Sequence, residues 1–287
     1  MDAKMAWKHI GLVALGAFCY STLIIFTRLA HGLDALSIAF FRAFFAFLFF
    51  SLLLPRFSEP LHPSRYRSAI PALIGLGVAI GATAGLYIYA VQHTTAANAA
   101  LLVNSAPIYI AVLAPLLLKE ERPRYLYASL ALIAVGIALI TITPSMRDGD
   151  GSFGGILAGV ASGFMYSLTM LFSRWMRQRV SGFTQTFWGT GVAALLLLPF
   201  ACRVPLSGIL RNLPVLVPLG IVSLGIASLL YFVALQKLRA QVVSVVAILE
   251  PVSGMLIGLW MFHEPLTLQA LSGSLLILAS IYLISRG

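Results

Sequence analysis

Glu250 is the residue in this sequence with the clearest capacity for chemistry. It stands near the centre of an apolar run, 240–262, where ionisable side chains are rare. A charge at membrane depth costs a few kcal/mol or more and normally faces protein or a wet cavity. A carboxyl there is able to pair with a substrate ammonium, to act as a protonatable coupling site, or to hydrogen-bond a neighbouring helix as a neutral group. Asn104 and Ser105 occupy a second apolar run, beside Pro107. Either suits a substrate carboxylate or amide, or a bond between helices. Pro107 and Pro251 each lack an N–H and clash with the carbonyl four residues earlier. The freed carbonyls belong to Val103 and Ala247, so both helices are expected to kink and present polar backbone to a cavity. Tyr20, Tyr87, Tyr166 and Tyr231 also lie within apolar runs. Their rings suit an apolar or aromatic body and their hydroxyls a polar end. Arg42 reads as a packing anchor or a snorkelling side chain.

Enzymatic signatures are missing. His263-Glu264 is followed by Pro265 with no second histidine, so there is no HExxH zinc motif, and no Walker loop occurs. Ser162-Gly163 lacks evident polar partners for a serine nucleophile. No catalytic residue, metal site or cofactor is expected. His93 and His263 read as solvated or capping groups at helix ends.

These residues are embedded in 287 positions that are 60% hydrophobic and 10% charged, with a mean hydropathy of +0.96. Soluble domains are roughly 45–50% apolar and about 25% charged. That composition excludes a soluble enzyme, a disordered chain and a fibrous repeat. A spanning helix needs about 20 apolar residues. Breaks rich in charge, proline or glycine divide the chain into ten candidate spans: 7–27, 35–54, 69–91, 95–118, 124–143, 153–175, 183–200, 213–236, 240–262 and 267–285. Cys19 and Cys202 provide no disulfide framework. The first apolar stretch has no small-residue cleavage pattern, and a retained helix is expected.

With a cytoplasmic N-terminus, 14 Lys and Arg residues fall in loops on the inner side and 4 on the outer side. The positive-inside rule therefore places both termini in the cytoplasm. Topology and attraction to anionic lipid account for the net charge of +10, and no nucleic-acid partner is expected.

The chain also repeats itself. Phe18-Cys19-Tyr20-Ser21 and Phe26-Thr27-Arg28 match Phe164-Met165-Tyr166-Ser167 and Phe172-Ser173-Arg174 at an offset of 146. Tyr87, Ala90, Gln92, Pro107 and Glu120 match Tyr231, Ala234, Gln236, Pro251 and Glu264 at an offset of 144. Residues 1–145 and 146–287 are thus two five-helix repeats. An odd helix number turns the second repeat upside down, and inverted repeats are a recurrent architecture of secondary transporters. Glu250 is opposite Ala106 in this alignment, and Arg42 is opposite Phe187-Trp188, so the halves are chemically unequal.

The paired Pro107 and Pro251, the Glu250-Pro251 pair and the helix-end Glu120 and Glu264 resemble the EamA branch of the drug/metabolite transporter superfamily. Within it, the length and aromatic-rich helices are similar to bacterial aromatic amino-acid exporters. The resemblance implies an all-α polytopic membrane protein, with ten transmembrane helices arranged as two inverted five-helix repeats around a central cavity. Spans one, three, four, six, eight and nine would line it, and spans five and ten would pack at the back. It further implies a multi-pass protein of the bacterial inner membrane that exports small metabolites, amino acids including aromatic ones foremost, by alternating access. A drug or nucleoside exporter, with or without proton coupling, is the second reading. A non-transporting scaffold or an intramembrane enzyme is the third. The implied partners are a small-molecule substrate, an amino acid or similar metabolite, and the lipid bilayer. The sequence sets no oligomeric state, and a monomer is compatible with it.

Overall fold

A computed structural model describes residues 3–57, 67–117, 125–141, 153–176, 178–235, 249–264 and 267–285. Long apolar runs become helices because a backbone in lipid must satisfy its own hydrogen bonds. The helices are α1 (Ala3–Leu29), α2 (Ala35–Phe57), α3 (Ile70–His93), α4 (Ala96–Val103), α5 (Ala106–Leu117), α6 (Leu126–Thr141), α7 (Phe153–Met176), α8 (Gly182–Ala201), α9 (Leu206–Gly220), α10 (Ala227–Leu235), α11 (Leu249–Phe262) and α12 (Leu268–Ser285). A π-helical segment, Ile221–Ile226, joins α9 to α10. The described residues hold no strand. Among the described residues, seven helical stretches are long and apolar enough to cross a membrane, and three further apolar helices are shorter. The protein is an all-α polytopic membrane protein.

Two differences from the sequence expectation have physical causes. The eighth span begins at Leu206 rather than near residue 213. Arg211 and Asn212 look like loop in the sequence, yet Asn212 is buried. Its amide accepts from the His31 backbone N–H at 3.0 Å and donates to the His31 carbonyl at 3.1 Å, a partner 181 residues away. The fourth span is broken rather than kinked. α4 stops at Val103, Asn104 and Ser105 form a turn, and α5 restarts at Ala106. Pro107 thus falls in the first turn of a helix, where its missing N–H is harmless. Pro251 is buried in α11. The carbonyl of Ala247, the repeat residue Gln236 and the helix-end Glu120 lie outside the described residues.

The halves pack across one another. α1 packs on α10 while α7 packs on α3, and α1 packs on α11 while α7 packs on α4. α2 meets α9 as α8 meets α3, and α2 meets α8 directly. These pairings exchange the first half for the second. α6 and α12 lie together, with Ser280 Oγ donating to the Ser129 carbonyl at 2.8 Å. Away from that pair, the largest core cluster gathers residues of α1, α2, α3, α4, α7, α8 and α9.

Small residues let these backbones meet, as expected of helices packed in lipid. A Cβ on Gly163 of α7 would lie 2.5 Å from the Leu102 carbonyl and 2.6 Å from Ser105 Oγ. One on Gly254 of α11 would lie 2.7 Å from the Ala100 side chain. One on Gly220, at the end of α9, would lie 2.8 Å from the Arg42 carbonyl. The first two contacts hold the α4–α5 break between α7 and α11, and the third seats the π segment on α2.

Candidate functional site

Glu250, one turn before Gly254, is buried at 8% exposure. The Asn104 side chain lies beside its carboxyl and donates through Nδ2 to the Ala100 carbonyl at 2.9 Å. The α4–α5 break therefore supplies a polar neighbour of the buried carboxyl. The four tyrosines Tyr20, Tyr87, Tyr166 and Tyr231 all lie close enough to Glu250 to sense its charge. Tyr20 and Tyr231 meet edge to face, 5.4 Å between ring centroids, and Tyr20 Oη shares a hydrogen bond with Ser228 Oγ at 2.8 Å. A Cβ on Gly16 would strike the Tyr231 ring at 2.7 Å, so the absent side chain makes room for it. Tyr20, Tyr166 and Tyr231 remain half-buried although they stand among the helices. Tyr87 is buried, and its hydroxyl has no hydrogen-bond partner among the described residues.

The structure thus brings Tyr20, Tyr87, Asn104, Tyr166, Tyr231 and Glu250 together and leaves Ser105 out. Ser105 is fully buried, donates to the Leu102 carbonyl at 2.6 Å and lies against α7. It finishes the helix break and does not face Glu250.

Arg42 joins the cluster as a buried anchor between α2 and the π segment, not as a snorkelling side chain. It is buried at 7% exposure. Nε donates to Ser223 Oγ at 3.2 Å and Nη2 to the Ser223 carbonyl at 3.0 Å. Ser223 lies in the π segment, where the widened turn re-aims backbone groups. The guanidinium senses Tyr20, Tyr87, Glu250 and Tyr166. The one sequence signal for it was asymmetry: Arg42 and Glu250 both lack an ionisable repeat mate.

A second polar cluster ties the halves away from this site. Arg28, near the end of α1, pairs with Glu264 just beyond α11 and donates to the Thr94 carbonyl at 3.0 Å. Glu264 also accepts from the Ala96 N–H at 2.8 Å, placing a carboxylate on the N-terminus of α4, where the helix dipole favours it. His263 adopts φ 53°, the left-handed turn that brings Glu264 back under the helix end. No group of three or more potential metal ligands occurs among the described residues.

A solved crystal structure superposes on this chain with a TM-score of 0.66, covering 96% of this chain and 97% of its own at 17% identity. An uncharacterized transporter of Archaeoglobus fulgidus is 31% identical over 275 residues, which is 96% of this chain and 95% of the relative. The pseudopaline exporter CntI of Pseudomonas aeruginosa is 27% identical over 220 residues, 74% of this chain and 73% of the relative. The model of the EamA-like transporter family matches twice, over residues 7–142 and 153–286. With both halves matched and a relative above 30% identity spanning nearly its whole length, the chain belongs to the EamA-like transporter family.

Proposed function

We propose that this transporter is an inner-membrane exporter of small metabolites, amino acids including aromatic ones foremost, working by alternating access. The observation that carries the reading is the cluster of buried Glu250, Arg42 and Tyr87 with half-buried Asn104, Tyr20, Tyr166 and Tyr231, built from both halves of the chain. A buried carboxyl and an amide suit a polar head group, and tyrosine rings suit an aromatic or apolar body. The repeats 1–145 and 146–287 are read as inverted halves that rock about this site. The charge bias, 14 basic residues against 4, orients both termini towards the cytoplasm. Export is the direction named for the Pseudomonas relative. The same carboxyl also supports proton-coupled export of another metabolite, because an ionisable group at membrane depth is the usual element of a proton relay.

The test is export of labelled phenylalanine from cells producing Glu250→Gln, Asn104→Ala or Tyr87→Ala at matched expression. Each variant is expected to lower export by about tenfold, the scale of one lost hydrogen bond to a charged group. Unchanged export in all three would sink the site assignment.

A further inference from the structure

Two opposite charges lie buried in the candidate site without touching. Arg42 and Glu250 sense one another, yet no ion pair within 4.0 Å joins them. Apposed charges in a low-dielectric interior attract strongly, and burying either one unpaired is costly. A protein that needed only neutralisation would close that gap. Here each charge sits against a separate element. The π segment grips Arg42 through Ser223, and Glu250 on α11 lies beside Asn104 of the α4–α5 break.

A guanidinium has five N–H donors, and Ser223 engages two of them. The other three have no partner among the described residues. The buried Tyr87 hydroxyl, which senses both charges, is unpartnered as well. A buried hydroxyl left unpaired is rare in a finished core and calls for a partner. The planar guanidinium fork fits a carboxylate bidentately.

We propose that Arg42 and the Tyr87 hydroxyl form an anion subsite for the carboxylate of a zwitterionic substrate whose ammonium faces Glu250. This deepens the export reading and rests on it for the substrate's passage. It assigns a polarity to the site, with the carboxylate towards α2 and the π segment and the ammonium towards α11. It narrows the substrate class to compact molecules carrying both charges near an apolar or aromatic body. Amino acids and N-substituted amino acids satisfy this, and nucleosides and purely cationic drugs do not.

The test uses three probes that share a ring and differ in charge: phenylalanine, 3-phenylpropionate without the ammonium, and phenethylamine without the carboxylate. Ligand-induced thermal stabilisation of the purified full chain reads binding apart from transport. Wild type should bind 3-phenylpropionate and phenylalanine, and Arg42→Gln should weaken both by about tenfold or more while leaving phenethylamine unchanged. Arg42→Lys should recover part of the carboxylate binding, which separates charge from packing. Glu250→Gln should show the reverse selectivity, weakening phenylalanine and phenethylamine. An Arg42→Gln protein that folds and weakens all three probes equally, or none of them, overturns the subsite. So does a wild type that no carboxylate stabilises, whether or not it moves phenylalanine. If carboxylates bind through Arg42 and phenylalanine is not exported, the export reading fails and the subsite stands.

Discussion

The Tyr87 hydroxyl is the smallest group on which the account makes a committed statement. A buried hydroxyl without a partner among the described residues carries a desolvation penalty that those residues do not offset. Tyr87→Phe is therefore expected to leave the thermal stability of the purified protein unchanged or to raise it by up to about 1 kcal/mol. The same variant should raise the KM for phenylalanine export, since the hydroxyl is retained for a ligand. A clear loss of stability with export intact would show that the hydroxyl serves packing. Glu250, Asn104 and the paired tyrosines stand out in the sequence because they lie inside apolar runs, and the structure brings them near one another. For Arg42, sequence left a packing anchor and a snorkelling side chain open, and the structure shows the anchor. An arginine in a helix suggests snorkelling, and only the Ser223 hydroxyl and carbonyl, 181 residues away, reveal where its charge goes. Ser105 goes the other way, since its neighbour Asn104 turns to Glu250 while Ser105 turns back on its own helix.

Helices place these groups, and the helix that carries Arg42 is fastened at its start. Asp34 Oδ1 accepts from the Leu36 and Ser37 amides, each at 3.0 Å, and Ser37 Oγ donates to Oδ2. Partial burial of Asp34 opposes ionisation, yet the Ser37 hydroxyl and these amides outweigh it and hold the carboxyl below its ordinary range. A lowered carboxylate stabilises the fold above the ordinary value and loses that contribution as pH falls through the folded one. Asp34→Ala should accordingly cost about 1 kcal/mol at pH 7, the usual scale of a helix cap. The gap from wild type should narrow as the pH is taken below about 4. Melting temperatures across pH check this, and a gap independent of pH contradicts it. Helix positions were largely readable from the apolar runs, and two features that were not share a cause. The early start of α9 depends on Asn212 bonding His31, and the π segment depends on Gly220 seating against α2. Both are contacts between the halves, which no local window contains. The α4–α5 break was half legible, because Pro107 announced an interruption while the exact turn belongs to Asn104 and Ser105.

At the scale of the whole molecule, the inner helices of each half pack on those of the other, and the polar groups with most at stake sit between them. Arg28 and Glu264 tie α1, α4 and the end of α11 together, while Glu250, Asn104 and Arg42 occupy the interior. A molecule built this way stores its chemistry where the two halves would move past each other. Its central claim is that a solute crosses by way of Glu250. Efflux of labelled phenylalanine from proteoliposomes holding the purified chain, with and without an imposed pH gradient, measures this directly. The account predicts efflux through wild type and a drop of about tenfold or more for Glu250→Gln at equal incorporation. Efflux through Glu250→Gln at the wild-type rate would contradict it, and so would a wild type that moves no member of a panel of amino acids, nucleosides and drugs.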